Sequence, residues 1–175
     1  MGKYNDLVIP FSGMKEGDYS FDFSLNDSFF ESLEFSQFGK GDINVHVEME
    51  RRQHMLTLDI KIEGRVMMQC DRCGNDYYQP IETHRNMVVN LEAEVFEDED
   101  DLISLPAHYN DLDLTQYVYE YIVLAVPARL VCPEVPGCDP DVIAKLEQLQ
   151  SGNEENSSEE TDPRWDALKN LKHNN

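Results

Sequence analysis

Cys70-Asp71-Arg72-Cys73 sets two thiols two residues apart. At that spacing both sulfurs of a tight turn can face one tetrahedral ion. Gly74 follows, a residue free to take the positive φ that such a knuckle needs. Cys132 and Cys138, in CPEVPGC, form a looser second pair, with a gap wider than the usual spacing of about two to four residues. All four together would make a four-thiolate structural zinc site holding one Zn2+ and closed to substrate. It would pin the strand end near Cys70 to the loop that follows a long helix. A second reading stays open, in which the cysteines are reduced and buried as small hydrophobes. A thioredoxin-like redox role suits the setting less, because that chemistry wants its CxxC at a helix start in a β-α-β unit. Here the motif follows a strand in a meander. His46, His54, His84, His108 and His173 are scattered without ligand spacing. Most are expected as surface side chains, and a mixed site in which His84 replaces a cysteine is the minor alternative.

The elements that must carry these thiols are legible from periodicity. Leu7 to Phe11 reads as a strand with a proline near its end. From Asp18 to Leu25, Tyr19, Phe21, Phe23 and Leu25 alternate with polar residues, the period of a half-buried strand. Asn26-Asp27-Ser28 offers caps for a short helix containing Phe29, Phe30 and Leu33. Ile43, Val45, Val47 and Met49 alternate along one strand, and Leu56, Leu58, Ile60 and Ile62 along the next. Arg51 to His54 is a polar turn between them. A third strand is expected from Arg65 into Cys70 and a fourth over 86–95, with the charged run 97–101 as a solvated loop. The period then changes. Leu114, Tyr117, Val118, Tyr121, Ile122 and Ala125 form one helical stripe, with Asp113 placed as N-cap, Gln116 three residues on and Pro127 as the stop. In that helix Tyr117 and Tyr121 are assigned to the core and Tyr119 to the surface. A further helix is expected from Asp139, with Val142, Ile143, Leu146 and Leu149 as its stripe and Gly152 past its end. The fold class is therefore α+β: an antiparallel sheet or partly open barrel over about 5–96, one long covering helix, and short C-terminal helices. The expected organisation is a single domain over 1–150, a disordered acidic linker over 151–161, and a docking segment over 162–175 built on Trp165, Leu168 and Leu171.

The chain has 175 residues and carries 14 Lys+Arg against 35 Asp+Glu, a formal net charge of -21. A field of that sign repels nucleic acid, whose binders normally present a basic face. A basic protein partner suits it better. The most span-like stretch, Val118 to Val126, is far short of the roughly 20 apolar residues a membrane helix needs. Residues 1–10 carry one Lys and no long apolar region, which argues against a secretory signal and for a cytoplasmic protein. In that reducing compartment a disulfide framework is not expected. Arg51, Arg52, Arg65 and Arg72 fall within one hairpin and its neighbouring strand. On a shared face they would make a positive island beside Tyr77 and Tyr78 for contact with single-stranded RNA. The plainer reading is strand-edge charge balance, and the total charge favours it. No Ser-His-Asp order, phosphate loop or carboxylate metal motif is present, so an enzymatic reading has little support.

Three stretches carry a resemblance. Gly64 to Gly74 (GRVMMQCDRCG) resembles the strand-plus-knuckle of the YceD family, also called large ribosomal RNA subunit accumulation proteins. Asp111 to Pro127 (DLDLTQYVYEYIVLAVP) is similar to that family's acidic-start helix, and Asp162 to Leu171 (DPRWDALKNL) to its tail motif. By motif matching, Cys70, Arg72, Cys73, Glu120, Pro127, Asp162, Pro163 and Trp165 would inherit signature status. Many relatives carry a richer cysteine cluster after the helix, whereas this chain has only Cys132 and Cys138. The resemblance implies a bacterial, non-enzymatic ribosome-biogenesis factor supporting accumulation or processing of large-subunit (23S) ribosomal RNA. Its partner would be a large-subunit ribosomal protein or the 23S precursor, with no membrane and no small-molecule substrate. The alternatives are a zinc-stabilised structural or interaction module without a ribosomal role, and a nuclease acting on ribosomal RNA.

Overall fold

Alternation along the middle of the chain builds the main sheet. The computed structural model describes residues 7–93, 97–99, 102–106, 108–133 and 137–154. By internal contacts the chain divides into two compact units, 1–130 and 131–175. In the first, β1 (Val8–Pro10) is followed by β2 (Gly17–Leu25), the short helix α1 (Asp27–Ser32), β3 (Gly41–Arg52) and β4 (Met55–Gln69). Then come β5 (Asp76–Ala93), β6 (Glu97–Glu99), β7 (Leu102–Pro106), β8 (Asp111–Asp113) and helix α2 (Thr115–Ala125). The second unit contains α3 (Pro140–Glu154).

Six strands form an open sheet in the order β2-β3-β4-β5-β7-β6, not a barrel. Neighbours are antiparallel except for β5 and β7, which run parallel, with Val89 opposite Ile103. The expected all-antiparallel sheet is corrected at this one pair. After β5 the chain crosses to the sheet edge as β6 and returns as β7 between the two, which forces the parallel register. The segment 97–101, expected as a loop, therefore supplies an edge strand at Glu97–Glu99, and β7 was not anticipated. The expected third strand is the far half of β4, which runs unbroken from Met55 to Gln69. β1 and β8 pair in a separate two-stranded sheet.

One face of the sheet is the core. Ile43, Val45, Val47 and Met49 from β3 pack beside Leu56, Leu58, Ile60 and Ile62 from β4, all essentially without solvent exposure. Each such side chain contributes about 1.5–3 kcal/mol on burial. Phe29 and Phe30 of α1 are buried with it in edge-to-face contact, and Phe30 meets Phe38 in the same way. Asn26 caps α1 as expected, its side chain accepting from the Ser28 amide. From α2, Val118, Tyr121 and Ile122 are buried.

The expected single long covering helix is not found. Two short helices, α1 and α2, supply the covering side chains instead, and α2 is only 11 residues long. It ends before Pro127, and it begins at Thr115 rather than at Asp113, whose Oδ1 accepts from the Thr115 amide. No capping box forms, because Gln116 turns away to donate to Glu120. Tyr119, expected at the surface, is half-buried, stacked edge-on against Phe38, and its hydroxyl accepts from the Gln37 amide at 2.8 Å. In the second unit, Asp139 Oδ1 accepts from the Asp141 amide at the start of α3. The helix continues past Gly152 to Glu154.

Candidate metal centre

The knuckle after β4 is held by its own backbone. The Cys70 amide donates to the Asn75 carbonyl and the Gly74 amide to the Cys70 carbonyl, each at 2.9 Å. Gly74 sits at φ 77, the left-handed conformation that the turn requires. Gln69 Nε2 donates to the Gly74 carbonyl, closing the loop from the strand side. The Arg72 amide points at Cys70 Sγ from 3.4 Å. A peptide N–H directed at sulfur favours the thiolate, the form a metal needs.

A second segment is fastened to this turn. Asp71 donates its amide to the Leu130 carbonyl and accepts the Leu130 amide at Oδ2, both at 2.7 Å. Leu130 stands two residues before Cys132. Gly137, at φ 83, turns the chain immediately before Cys138. The sulfurs of Cys70, Cys73, Cys132 and Cys138 all lie within 4.8 Å of one another, and all four cysteines are free thiols. A tetrahedral ion with sulfur at about 2.3 Å would set its ligands about 3.8 Å apart. Cys70 is buried and the other three are partly buried. The looseness of the CPEVPGC spacing does not keep the second pair from the first. Sequence reasoning passed over Asp71, whose only signal was its place between the two cysteines.

The other candidate residues are dispersed. Arg51 lies on the core side of β3, its guanidinium donating to the Phe11 carbonyl. Arg52, on the opposite face, pairs with Glu50 at 3.0 Å. Arg65 lies opposite Asp42, whereas Arg51 lies opposite Leu56. From Leu56 to Arg65 the strand advances roughly 30 Å at about 3.3 Å per residue. The arginines thus sit at two ends of the sheet and on two faces, and they form no single island. Arg65 lies over the Tyr78 ring at 4.9 Å, and the Arg72 side chain is exposed beyond the strand end. His84 is remote from the thiols in register, on the solvent face of β5, hydrogen-bonded to Asp59 at 2.6 Å. Glu120 and Pro127 are exposed. Asp162, Pro163 and Trp165 lie outside the described residues.

An open, largely antiparallel sheet with short covering helices and a four-thiol cluster at one turn defines an α+β protein with a candidate structural metal centre. Among the described residues, no helix is long and apolar enough to cross a membrane. The sequence model of the family described as large ribosomal RNA subunit accumulation protein YceD matches residues 58–172, more than half of the chain. The chain belongs to the YceD family. No curated protein and no solved structure gives a match.

Proposed function

We propose that this protein is a non-enzymatic accessory factor of ribosome biogenesis in the bacterial cytoplasm. It supports accumulation or processing of large-subunit ribosomal RNA by binding a large-subunit ribosomal protein. The observation that carries the reading is the family match over 58–172. The choice of protein over RNA as direct partner rests on charge. A net charge of -21 repels a phosphate backbone, and the four arginines suited to RNA contact do not converge. In this reading Cys70, Cys73, Cys132 and Cys138 hold one structural Zn2+. Four thiolates leave no open coordination position, so the ion would stabilise the fold rather than activate a water. Residues 162–175, with Trp165, would serve as a docking segment.

Two measurements test this. A deletion strain should show reduced 23S ribosomal RNA relative to 16S, and a normal profile would overturn the ribosomal role. Capture of the tagged protein from nuclease-treated lysate should retain a basic ribosomal protein. Loss of all ribosomal partners after RNA digestion would overturn protein binding.

A further inference from the structure

The first unit carries a groove of about 1090 Å3 that the metal centre does not use. Its accessible apolar surface is formed by the half-buried Val8, Leu33 and Tyr117, backed by the buried Ile103, Leu105 and Leu112. At its lip stand Phe35, 86% exposed, and Tyr109, 40% exposed. Together with the groove's half-buried apolar lining they make a contiguous apolar patch rimmed by polar residues, the kind of surface that marks an interaction site. The lip is held in place: the Tyr119 hydroxyl donates to the Phe35 carbonyl while accepting from the Gln37 amide. Tyr119 thereby ties the loop after α1 to α2.

The rim has one sign. Glu34, Asp111, Asp113 and Glu120 line the groove and are all exposed, and among its described lining residues none is Lys, Arg or His. An apolar floor wants an aliphatic or aromatic side chain, and a carboxylate rim wants cations around it. RNA bases could stack on an aromatic lip, but RNA offers no cations and its phosphates would meet four carboxylates. We infer that this groove binds a Lys/Arg-rich polypeptide segment of a partner protein, one apolar side chain seated on Val8, Leu33 and Tyr117 and the flanking cations paired with the rim. The inference rests on the proposed protein-binding function and gives it a location.

The test is titration of the full-length protein with a synthetic peptide of lysine and arginine carrying one central leucine. A peptide of equal charge with glycine at that position serves as comparison. The leucine peptide should bind at least about tenfold more tightly than the glycine peptide, and binding should weaken as salt is raised. Phe35→Ser and the pair Glu34→Lys with Glu120→Lys should each weaken it by about tenfold or more. These side chains are exposed, and an unchanged melting temperature would show the fold intact. Equal affinity for both peptides, or unaltered binding by folded variants, would overturn the groove. So would competition by single-stranded RNA at equal potency. Tighter peptide binding by Trp165→Ala would make the chain's own terminal segment the resident and would also overturn a partner in that place. The ribosomal RNA profile of the deletion strain is independent of all these outcomes, so failure of the groove and failure of the ribosomal role are distinguishable.

Discussion

Asp71 and Leu130 exchange two hydrogen bonds of 2.7 Å, amide to carbonyl in one direction and amide to carboxylate in the other. The pair sits between two cysteines on one side and two residues before a third on the other. A turn made by Cys70 to Gly74 and a segment nearly 60 residues later in the chain are therefore held together by one residue, through its amide and its carboxylate.

That arrangement predicts an effect of Asp71 on both stability and metal retention. Asp71→Ala should lower stability by about 1 kcal/mol, as expected for one hydrogen bond to a charged but exposed acceptor. It should also speed loss of zinc to a chelator. Asp71→Asn keeps an acceptor oxygen and should fall between the two. Chemical denaturation together with a colorimetric zinc-release assay would check both, and a release rate unchanged by Asp71→Ala would count against the clamp.

The thiols themselves give a sharper test. Freshly purified protein should contain about one zinc per chain by elemental analysis, and Cys70→Ser should lose it with a fall in melting temperature. Metal binding to a structural four-thiolate site is coupled to folding, so chelator alone should lower the melting temperature of the unmodified protein. Metal-free protein whose stability Cys70→Ser leaves unchanged would return the four cysteines to the role of small buried hydrophobes.

What was legible in the sequence follows from which faces are half-buried. β2, β3 and β4 were readable because Phe21, Val47 and Ile60 each stand on the core side with polar neighbours before and after, and the sheet is wet on its other face. β7 was not readable, since Ile103 and Leu105 occupy only five residues, too few to show a period. β6 was hidden because an edge strand pairs through its backbone and tolerates Glu-Asp-Glu. All four cysteines of the cluster were named from the sequence, Cys70 and Cys73 by their tight spacing and Cys132 and Cys138 as a looser pair. The hydrogen bonds of Asp71 to Leu130 were not legible, because no local spacing encodes them. Tyr119 was misplaced because its hydroxyl, not its ring periodicity, decides where it sits.

The solvent face of the sheet predicts a pH dependence. The His46 pKa is raised from its ordinary 6.5, first by its hydrogen bond with Asp22 at 2.7 Å, then by the charges of Asp22 and Glu48. Lys61 lies opposite His46 across the β3–β4 pair. A group whose pKa is higher folded than unfolded stabilises the fold fully below the unfolded value. That contribution is lost as pH rises through the folded value. Asp22→Asn should therefore bring the His46 titration, followed by NMR, closer to 6.5 and remove part of the stability gained on acidifying through that range. Identical titration curves for the two proteins would show that Asp22 does not govern His46.

Gly64 tests the close approach of β3 and β4. It stands opposite Ile43 at φ 154. A Cβ placed there would lie 2.2 Å from the Asp42 carbonyl oxygen and 2.7 Å from Ile43 Cα. Both are backbone atoms in a paired strand, so neither can swing aside as a side chain end would. Relief requires the ladder to open near Val66, which is buried two residues farther along β4. Gly64→Ala should cost on the order of 3 kcal/mol, combining the strained φ with the clash. Gly39→Ala, where an added Cβ meets nothing within 4 Å, should change stability by less than about 1 kcal/mol. Urea denaturation of the two variants beside the parent would decide the matter, and equal midpoints for Gly64→Ala and Gly39→Ala would mean that the strands are not in the register described.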